Sequence, residues 1–264
     1  MTQADGGGDL VPHPRIPGAS IRDRVTSGLA TRILSGRYPQ GTSLPTEAEL
    51  GAELGVSRTA LREAMRTLAA KGLIETRQRG GTRVRPSEDW NRLDTDILAW
   101  MGTIEPDLAF VKGLTEARQI IEPAAAELAA LRATARNLAT IEEAYEAMCA
   151  ADLSDLDACA RADVRFHVGI LTASRNPVLA NLGNVISAAL MNAFRLTTSA
   201  STNYRNTLAA HGEVLEAIRM RRGADARLRM QALLGIATED LLRLSQGAPS
   251  GARIASPSTA DESV

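Results

Sequence analysis

Aromatic residues are scarce in this sequence of 264 residues. They make up 3% of the chain, although apolar residues as a whole make up 44%. A core built from such a sequence must be packed mainly from Leu, Ile, Val, Met and Ala. Stretches rich in Ala and Leu, with few β-branched runs, favour helices over strands. The composition therefore predicts a mainly α fold.

Cysteines and long apolar runs are also few. Cys149 and Cys159 are too few for a disulfide framework and fit a reducing compartment. No segment approaches the roughly 18 consecutive apolar residues of a membrane span. Residues 1–19 lack the apolar stretch of a secretory signal. We expect a soluble, cytoplasmic protein with disordered tails at 1–19 and 247–264, because both tails are poor in apolar residues.

A formal net charge of −1 hides an uneven distribution of charge. Residues 20–86 contain twelve Lys or Arg and six Asp or Glu, whereas residues 87–264 contain seventeen against twenty-three. A chain of this length can hold two ordinary domains. A basic segment joined to an acidic remainder predicts a polyanion-binding domain at 20–86, followed by a domain with another task.

The basic segment carries the pattern of a helix-turn-helix. Apolar residues recur at helical spacing in residues 20–36, where Ser20 is a suitable N-cap. A short helix is predicted to begin at Pro45 and to end at Gly55. Ser57 is a suitable N-cap for the next helix. The short connection between the last two helices, with its glycine, is typical of a helix-turn-helix.

The second helix of this motif exposes side chains that suit the major groove of DNA. Arg58, Thr59 and Arg62 lie on its first turns, away from its apolar face. In a helix-turn-helix, the N-terminal part of the second helix meets the base edges. The fork of an arginine matches the two acceptors of guanine, and a helix N-terminus, here capped by Ser57, favours phosphate. We therefore predict DNA contacts at these four residues.

A two-stranded wing is predicted after the second helix. Residues 73–74 and 82–84 have strand character, and a Gly-containing turn separates them. Such a wing reaches phosphates or the minor groove. The residues expected to make these contacts are Arg77, Arg79 and Arg83, together with Gly80 and Gly81 of the turn. The alternative is a small winged helix used for protein contacts, with its arginines merely solvated.

Beyond residue 86 the pattern is helical almost throughout. A linker helix is predicted at 87–104, and residues 105–246 are predicted to form a C-terminal all-α helical bundle of six or seven helices. The sequence contains no Gly-rich phosphate loop, no Gly-x-Ser-x-Gly elbow and no Cys-x-x-Cys pair. The helices are separated by predicted breaks near 103–106, 134–137, 151–154, 176–177, 199–203 and 223.

Four polar residues fall on apolar helix faces in this region. Asp163 and His167 lie one turn apart on a helix predicted at about 153–173, and Arg118 and His211 occupy similar positions on two other helices. An unpaired buried carboxylate costs several kcal/mol, so a partner must compensate for it. Four such residues in one bundle predict a shared site.

Three interpretations of this site remain open from spacing alone. Asp163, His167 and His211 can ligate a divalent metal, since a carboxylate and an imidazole at i and i+4 plus a third ligand suit metal geometry. They can also form the two-histidine, one-carboxylate triad of an iron-dependent oxygenase. The third interpretation is a hydrogen-bonded polar core that binds no ligand.

The N-terminal segment closely resembles a known family. The stretch GTSLPTEAELGAELGVSRTALREAMRTLAAKGLIETRQRGGTRV is similar to the winged helix-turn-helix of GntR-type bacterial transcriptional regulators, over about sixty-five residues. The resemblance implies that Arg58 and Arg62 are the two recognition-helix arginines and that Gly80 and Gly81 lie at the wing tip. Ala48 stands where many members of the fatty-acid-regulator branch have an arginine, so one contact of that branch is missing.

The C-terminal region resembles the all-helical FCD effector domain of one large GntR branch. The similarity rests on LTEARQIIEPAAAELAALRAT, ADVRFHVGILTASRNPVL and LAAHGEVLEAIRMRRGADARLRM. It implies that Asp163, His167 and His211 occupy three of the four positions that hold a metal in many of these domains. The fourth position, usually histidine, is Leu233. The resemblance also implies that Arg118 faces the effector cavity.

Together these observations predict a homodimeric, ligand-responsive repressor that binds a palindromic operator in double-stranded DNA. DWNRLDTDILAW, with Leu233 at the fourth position, looks most like repressors that sense galactonate and related sugar acids, which implies a small carboxylate effector. Its predicted contacts are Arg118, Asp163, His167 and His211, with one divalent ion (Zn, Ni, Mn or Fe) on the last three. The alternative is a metal-dependent enzyme of the non-haem iron type, fused to a DNA-binding domain.

Overall fold

The computed structural model describes residues 20–77, 80–152, 154–197 and 201–247. The chain forms two compact units that meet in sequence between Glu105 and Pro106. The described residues are mostly helical, which confirms the predicted fold class. None of their helices combines the length and apolarity needed to cross a membrane. The two predicted disordered tails, apart from Gly247, and Arg79 lie outside the described residues.

The first three helices of the N-terminal unit are α1 (Ile21–Leu34), α2 (Glu47–Leu54) and α3 (Arg58–Ala70). Ser20 caps α1 as predicted, and Gly55 ends α2 in the left-handed conformation (φ 62°). Helix α2 begins at Glu47 rather than at Pro45, because Thr46 and Glu49 form a reciprocal capping box. The core beneath the helices is aliphatic, with Leu29, Ile33, Leu50, Leu61 and Leu68 fully buried.

The predicted wing follows α3 as two antiparallel strands, β1 (Ile74–Arg77) and β2 (Gly81–Val84). Residues 41–44 pair with β2 through an isolated bridge at Ser43 and flanking backbone hydrogen bonds, so they extend the sheet at its edge. The first strand was predicted at residues 73–74, whereas it begins at Ile74 and continues to Arg77. Leu73 instead bonds back to the end of α3, which fixes the wing to that helix.

The predicted linker helix is shorter than expected and belongs to the N-terminal unit. A 3-10 turn (Ser87–Asp89) precedes α4 (Thr95–Met101). Lys71, the C-cap of α3, holds this segment, because its ammonium lies 2.7 Å from Asp94 Oδ1 and 2.8 Å from Asp96 Oδ2. The same ammonium lies 5.8 Å from the centre of the Trp100 ring.

The C-terminal unit contains seven helices in its described residues, within the predicted six or seven. They are α5 (Leu108–Arg132), α6 (Ala135–Ala150), α7 (Leu156–Ala173), α8 (Pro177–Asn181), α9 (Gly183–Thr197), α10 (Ser201–Arg219) and α11 (Gly223–Gly247). The extra division falls at Leu182, where one predicted helix is split into α8 and α9. The other helix boundaries lie close to the predicted breaks.

Helix α5 runs through the centre of this bundle and packs against α7, α9, α10 and α11. Its second half presents four fully buried alanines, Ala125, Ala126, Ala129 and Ala130. Small side chains let neighbouring helix backbones approach closely, so the larger residues of the facing helices can fill the space between them. The first half of the buried face of α5 instead carries polar residues, and these form the site described next.

Candidate functional site

The N-terminal unit presents the predicted DNA-contacting residues of the helix-turn-helix at its surface. Ser57 caps α3 by accepting a hydrogen bond from the backbone N–H of Ala60 (3.2 Å). Arg58 and Thr59 are exposed on the first turn, and Arg62 is exposed one turn further. The only ion pair of Arg62 among the described residues is a 3.8 Å contact with Glu47, too loose and too solvated to hold the side chain.

The wing residues are exposed as well. Arg77 lies at the end of β1, where its guanidinium contacts Glu75 at 2.6 Å. Gly80 and Gly81 form the described part of the turn, and Gly81 has a positive φ of 71°, which the absence of a Cβ allows. The turn therefore brings Arg77, Gly80 and Gly81 together at the surface of the N-terminal unit.

In the C-terminal unit, the four polar residues predicted to point inward are all buried. Arg118 comes from α5, Asp163 and His167 from α7, and His211 from α10. The first turn of α7 lies at the edge of the bundle, where Leu156 is 40% exposed. The rest of the α7 face packs inward.

Three ligand atoms of this group converge. Nε2 of His211 lies 3.1 Å from Oδ1 of Asp163 and 3.3 Å from Nε2 of His167. Nε2 of His167 lies 3.8 Å from the same Asp163 oxygen. The three residues satisfy the geometric conditions for a shared cation site, with all three ligand atoms within 4.8 Å of one another. We call Asp163, His167 and His211 the triad.

Each imidazole of the triad has its other ring nitrogen engaged by an acceptor. Nδ1 of His167 lies 2.5 Å from Oε2 of Glu122, and Nδ1 of His211 lies 2.7 Å from the carbonyl oxygen of Thr207. Because a carboxylate and a carbonyl can only accept, Nδ1 donates in both cases. A neutral imidazole then carries its lone pair on Nε2, which is the atom that faces the triad centre.

Sequence reasoning missed Glu122, which is as buried as the triad. Its Oε1 accepts a hydrogen bond from Nε of Arg118 at 2.6 Å, and Nη2 of Arg118 lies 3.5 Å from Nε2 of His167. A signal was present in the sequence, since Arg118 and Glu122 are four residues apart on one helix and can pair. The contact between Glu122 and His167 joins two different helices, so no local sequence pattern predicts it.

Both buried carboxyls of the site are ionised at neutral pH. Burial raises the pKa of Glu122, but the charges of Arg118 and His167 and the hydrogen bonds from both outweigh this effect. The pKa is therefore lowered to about 2. Burial likewise raises the pKa of Asp163, and the nearby His167, His211 and Arg118 outweigh this effect and bring it to about 2. The site therefore combines one guanidinium with two carboxylates.

The arrangement of the triad fits a divalent cation. Three atoms with lone pairs face one another, and such a group is stabilised either by a metal between them or by an added proton. A metal with N and O ligands at about 2.0–2.2 Å separates adjacent ligand atoms by about 3.0–3.5 Å, close to the separations seen here. Leu233, which the family resemblance places at the fourth ligand position, is buried in the apolar core of the bundle and offers no ligand atom.

Comparison with known proteins agrees with both units. The family of bacterial regulatory proteins, gntR family, matches residues 21–84, and the FCD domain matches residues 113–235. The galactonate operon transcriptional repressor of Escherichia coli (strain K12) is 38% identical over 225 residues, which cover 85% of this chain and 96% of that protein. The chain belongs to the gntR family.

A further relative of this gntR-family chain is named as a regulator too. The HTH-type transcriptional regulator LutR of Bacillus subtilis (strain 168) is 31% identical over 76% of this chain and 92% of its own length. A solved structure of Lar from Listeria monocytogenes is 20% identical, with a TM-score of 0.64, and covers 86% of this chain and 98% of that one; it supports the fold alone.

The family decides the class of function. The chain is a ligand-responsive, DNA-binding transcriptional regulator, with a winged helix-turn-helix and an FCD domain. The matched families and relatives are regulators and not enzymes, so the alternative of an iron-dependent enzyme is set aside. The function of the buried polar site is then to be sought in binding and not in turnover.

Proposed function

We propose that the chain is a homodimeric repressor of an operon for the breakdown of a sugar acid or another small carboxylate. The E. coli relative is named as the repressor of a galactonate operon. The observation that carries the proposal is the convergence of Asp163, His167 and His211 beside the guanidinium of Arg118. An effector that carries a carboxylate and a neighbouring hydroxyl complements this set.

In the proposed site a divalent ion is held by Asp163, His167 and His211. Three protein ligands leave open positions, at which the ion binds the effector's carboxylate and hydroxyl as a chelate. Arg118 binds a carboxylate oxygen with the N–H groups that Glu122 does not occupy. One guanidinium, two carboxylates and a divalent ion sum to a single positive charge, which an effector monoanion neutralises.

A metal-free version of the site is the second candidate. The pKa of Asp163 is about 2, so this residue stays an acceptor and can bind an N–H of His211. The two imidazoles and Arg118 then bind the acid directly. Both versions require His167 and His211, and they differ in metal content: purified protein carries close to one divalent ion per chain in the first version and none in the second.

Release from DNA follows by linkage. An effector can dissociate the complex only if it binds the DNA-incompetent arrangement of the regulator more tightly. In the DNA-binding unit we assign base contacts to Arg58, Thr59 and Arg62, and phosphate contacts to Ser57 and the wing, including Arg79. One such unit has a small footprint, so a two-fold dimer on a palindromic operator supplies the specificity.

The test uses the full chain and an operator selected by the chain from a random DNA library. The variants His167→Ala and His211→Ala are compared with the parent in an anisotropy titration of the operator, with and without a panel of sugar acids that includes galactonate. We expect operator binding to survive and effector-induced release to vanish in both variants. The third histidine provides the control variant His13→Ala, which should respond like the parent.

One result separates the two versions of the site, and another would contradict both. The metal content of protein purified without chelator separates the metal-bound version from the metal-free one. If both histidine variants release the operator at the same effector concentration as the parent, neither version of the site stands. The triad is then a satisfied polar group in a helical core.

A further inference from the structure

Glu122 is a buried charged residue to which the proposed function gives no task. It lies in the middle of α5, is 1% exposed, and directly precedes Pro123. Burying a carboxylate is costly unless both of its oxygens are paired. Each of its oxygens meets one nitrogen, and the two nitrogens belong to two residues of the site.

The first contact determines which nitrogen of His167 carries a proton. Oε2 of Glu122 can only accept, so the proton of the 2.5 Å contact belongs to Nδ1. Among the described residues no other acceptor contacts Nδ1. The hydrogen bond at one ring nitrogen fixes the state of the other. Nε2, directed at Asp163 and His211, is therefore left with its lone pair.

The second contact fixes the guanidinium of Arg118. Oε1 of Glu122 takes Nε at 2.6 Å, which leaves the two terminal nitrogens for other partners. One of them, Nη2, lies 3.5 Å from Nε2 of His167. A single carboxylate thus sets the orientation of an imidazole from α7 and of a guanidinium from its own helix, at the same end of the site.

We propose that Glu122 is a positioning residue that fixes the Nδ1–H form of His167 and, through the same carboxylate, aims Arg118 at the triad. It touches neither the effector nor the ion and acts through its two partners. This inference rests on the proposed function in that the triad binds a ligand. The assignment of the His167 proton can be tested without any ligand.

The variant Glu122→Gln separates this role from a purely structural one. It keeps the shape of the side chain but offers one acceptor where two donors must be met. The guanidinium is always charged and can only donate, so it takes the amide oxygen. The amide NH₂ is then turned towards Nδ1 of His167, which can meet it only after losing its proton. We expect the proton of His167 to move from Nδ1 to Nε2.

Nitrogen NMR of the histidine rings reads this shift directly. The sequence holds three histidines, so a ¹⁵N-labelled full chain gives three ring systems, assigned with the variants His13→Ala and His211→Ala. In chelator-treated parent protein at mildly alkaline pH, Nδ1 of His167 should be protonated. In Glu122→Gln, Nδ1 of His167 should be deprotonated. If Nδ1 of His167 is deprotonated in the parent, this result alone overturns the proposal, and no Glu122 variant is needed.

The second measurement is a titration of the chelator-treated full chain with Zn²⁺ alone. Loss of a carboxylate that orients a metal-binding imidazole typically weakens binding about 10- to 100-fold, and we expect a loss of this size in Glu122→Gln. The matched control is Glu127→Gln, on the same helix, where the carboxylate pairs with Arg227 at the surface. This control should bind Zn²⁺ as the parent does.

The outcomes keep the two proposals apart. A proton that moves to Nε2 together with weaker Zn²⁺ binding supports both. If the proton moves but the parent binds no Zn²⁺, the positioning role of Glu122 stands and the metal-bound site fails. If the proton stays on Nδ1, or if it moves while Zn²⁺ binding equals that of the parent, Glu122 does not position the site and its carboxylate only fills the core.

Discussion

Arg58 is the residue on which the proposed reading of operator sequence depends most. It stands exposed at the first position of α3, and no ion pair involving it occurs among the described residues. We predict that Arg58→Ala costs about 1–3 kcal/mol of operator binding and relaxes specificity at one base pair, as expected for loss of a bidentate guanine contact. Arg79→Ala should instead weaken binding to all sequences evenly. Gel-shift titrations on native and single-base-changed operators measure both effects.

The control for this prediction is Arg229→Ala. Arg229 lies in the C-terminal unit, where it pairs with Asp225 and Glu213 at the surface. Its loss should leave both operator affinity and base preference unchanged. An unaltered titration curve for Arg58→Ala on the native operator would show that α3 does not read bases through this residue.

The two buried carboxyls predict a defined dependence of stability on pH. In an unfolded chain, Asp and Glu titrate near pH ~4, whereas the pKa of Glu122 and of Asp163 is about 2 in the folded protein. Groups with a lowered pKa in the folded state stabilise it above their unfolded pKa and lose this contribution as the pH falls towards the folded value. The window runs from about pH 5 down to about pH 2.

Urea unfolding of the parent and of Glu122→Gln over this window measures the effect. At neutral pH the parent should be the more stable protein, and the difference in free energy of unfolding should shrink as the pH falls below about 5. A difference that stays constant from pH 7 to the acid limit of folding would mean that Glu122 titrates alike in the folded and unfolded chain.

The sequence predicts a residue of the site where a polar side chain interrupts the apolar face of a helix. Arg118, Asp163, His167 and His211 replace apolar residues on buried faces, and all four are buried in the structure. The position of Glu122 also reflects burial, but its role depends on a residue 45 positions away on another helix. Helical periodicity indicates which face of a helix is buried, but it does not indicate which other helix packs against that face.

At the scale of elements, the helix ends that rest on local chemistry were predicted best. The caps at Ser20, Gly55 and Ser57 involve hydrogen bonds within four residues, and all three are confirmed. The division between α8 and α9 was not predicted, because a single glycine in an apolar pattern is tolerated inside a helix. Gly183 packs closely there: a Cβ would lie 3.2 Å from Cγ1 of Val168 of α7, so the valine side chain would have to shift.

Arg221 shows how one side chain terminates a helix distant in sequence. It adopts a left-handed conformation (φ 59°) after α10, and its guanidinium donates to the carbonyl oxygens of Ala130 (3.1 Å) and Ala133 (2.7 Å) at the end of α5. These carbonyls lie where a helix lacks its own donors. The contacts outweigh the strain of a positive φ in a residue other than glycine.

We predict that Arg221→Ala lowers the free energy of unfolding by about 2 kcal/mol, through loss of two charged hydrogen bonds. Arg221→Gly should be less destabilising by about 1 kcal/mol, because glycine relieves the backbone strain while losing the same bonds. Chemical denaturation of both variants measures the difference, with the exposed neighbour variant Arg222→Ala as control. Equal losses in the two variants would show that the positive φ costs nothing.

At the scale of the whole molecule, α5 offers a surface for a second copy of the chain. Ile120 and Leu131 are 76% and 62% exposed, and with Ala124 and Leu128 they form a stripe along one side of the helix. Exposed apolar stripes of this kind mark association surfaces. This stripe is our candidate for the interface of the proposed dimer.

We predict that Ile120→Glu shifts the protein from dimer to monomer and weakens operator binding, because the buried carboxylates of two copies would face each other near the two-fold axis. Sedimentation velocity gives the oligomeric state. The control is Val178→Glu on α8, where a similarly exposed apolar residue lies outside the stripe. If Ile120→Glu remains dimeric at the concentrations at which the parent is dimeric, the interface lies elsewhere.

The positions of the two tryptophans give the molecule an optical property that follows from its scarcity of aromatics. Trp90 and Trp100 both lie in the N-terminal unit, while the triad lies in the C-terminal unit. Indole Nε1 of Trp90 donates to the Arg85 carbonyl (3.0 Å), and Trp100 lies beside the ammonium of Lys71. Tryptophan emission therefore originates entirely outside the unit that holds the buried site. A change in the tryptophan emission spectrum upon addition of an effector would therefore show, without any label, that binding in the C-terminal unit alters the environment of a tryptophan in the DNA-binding unit.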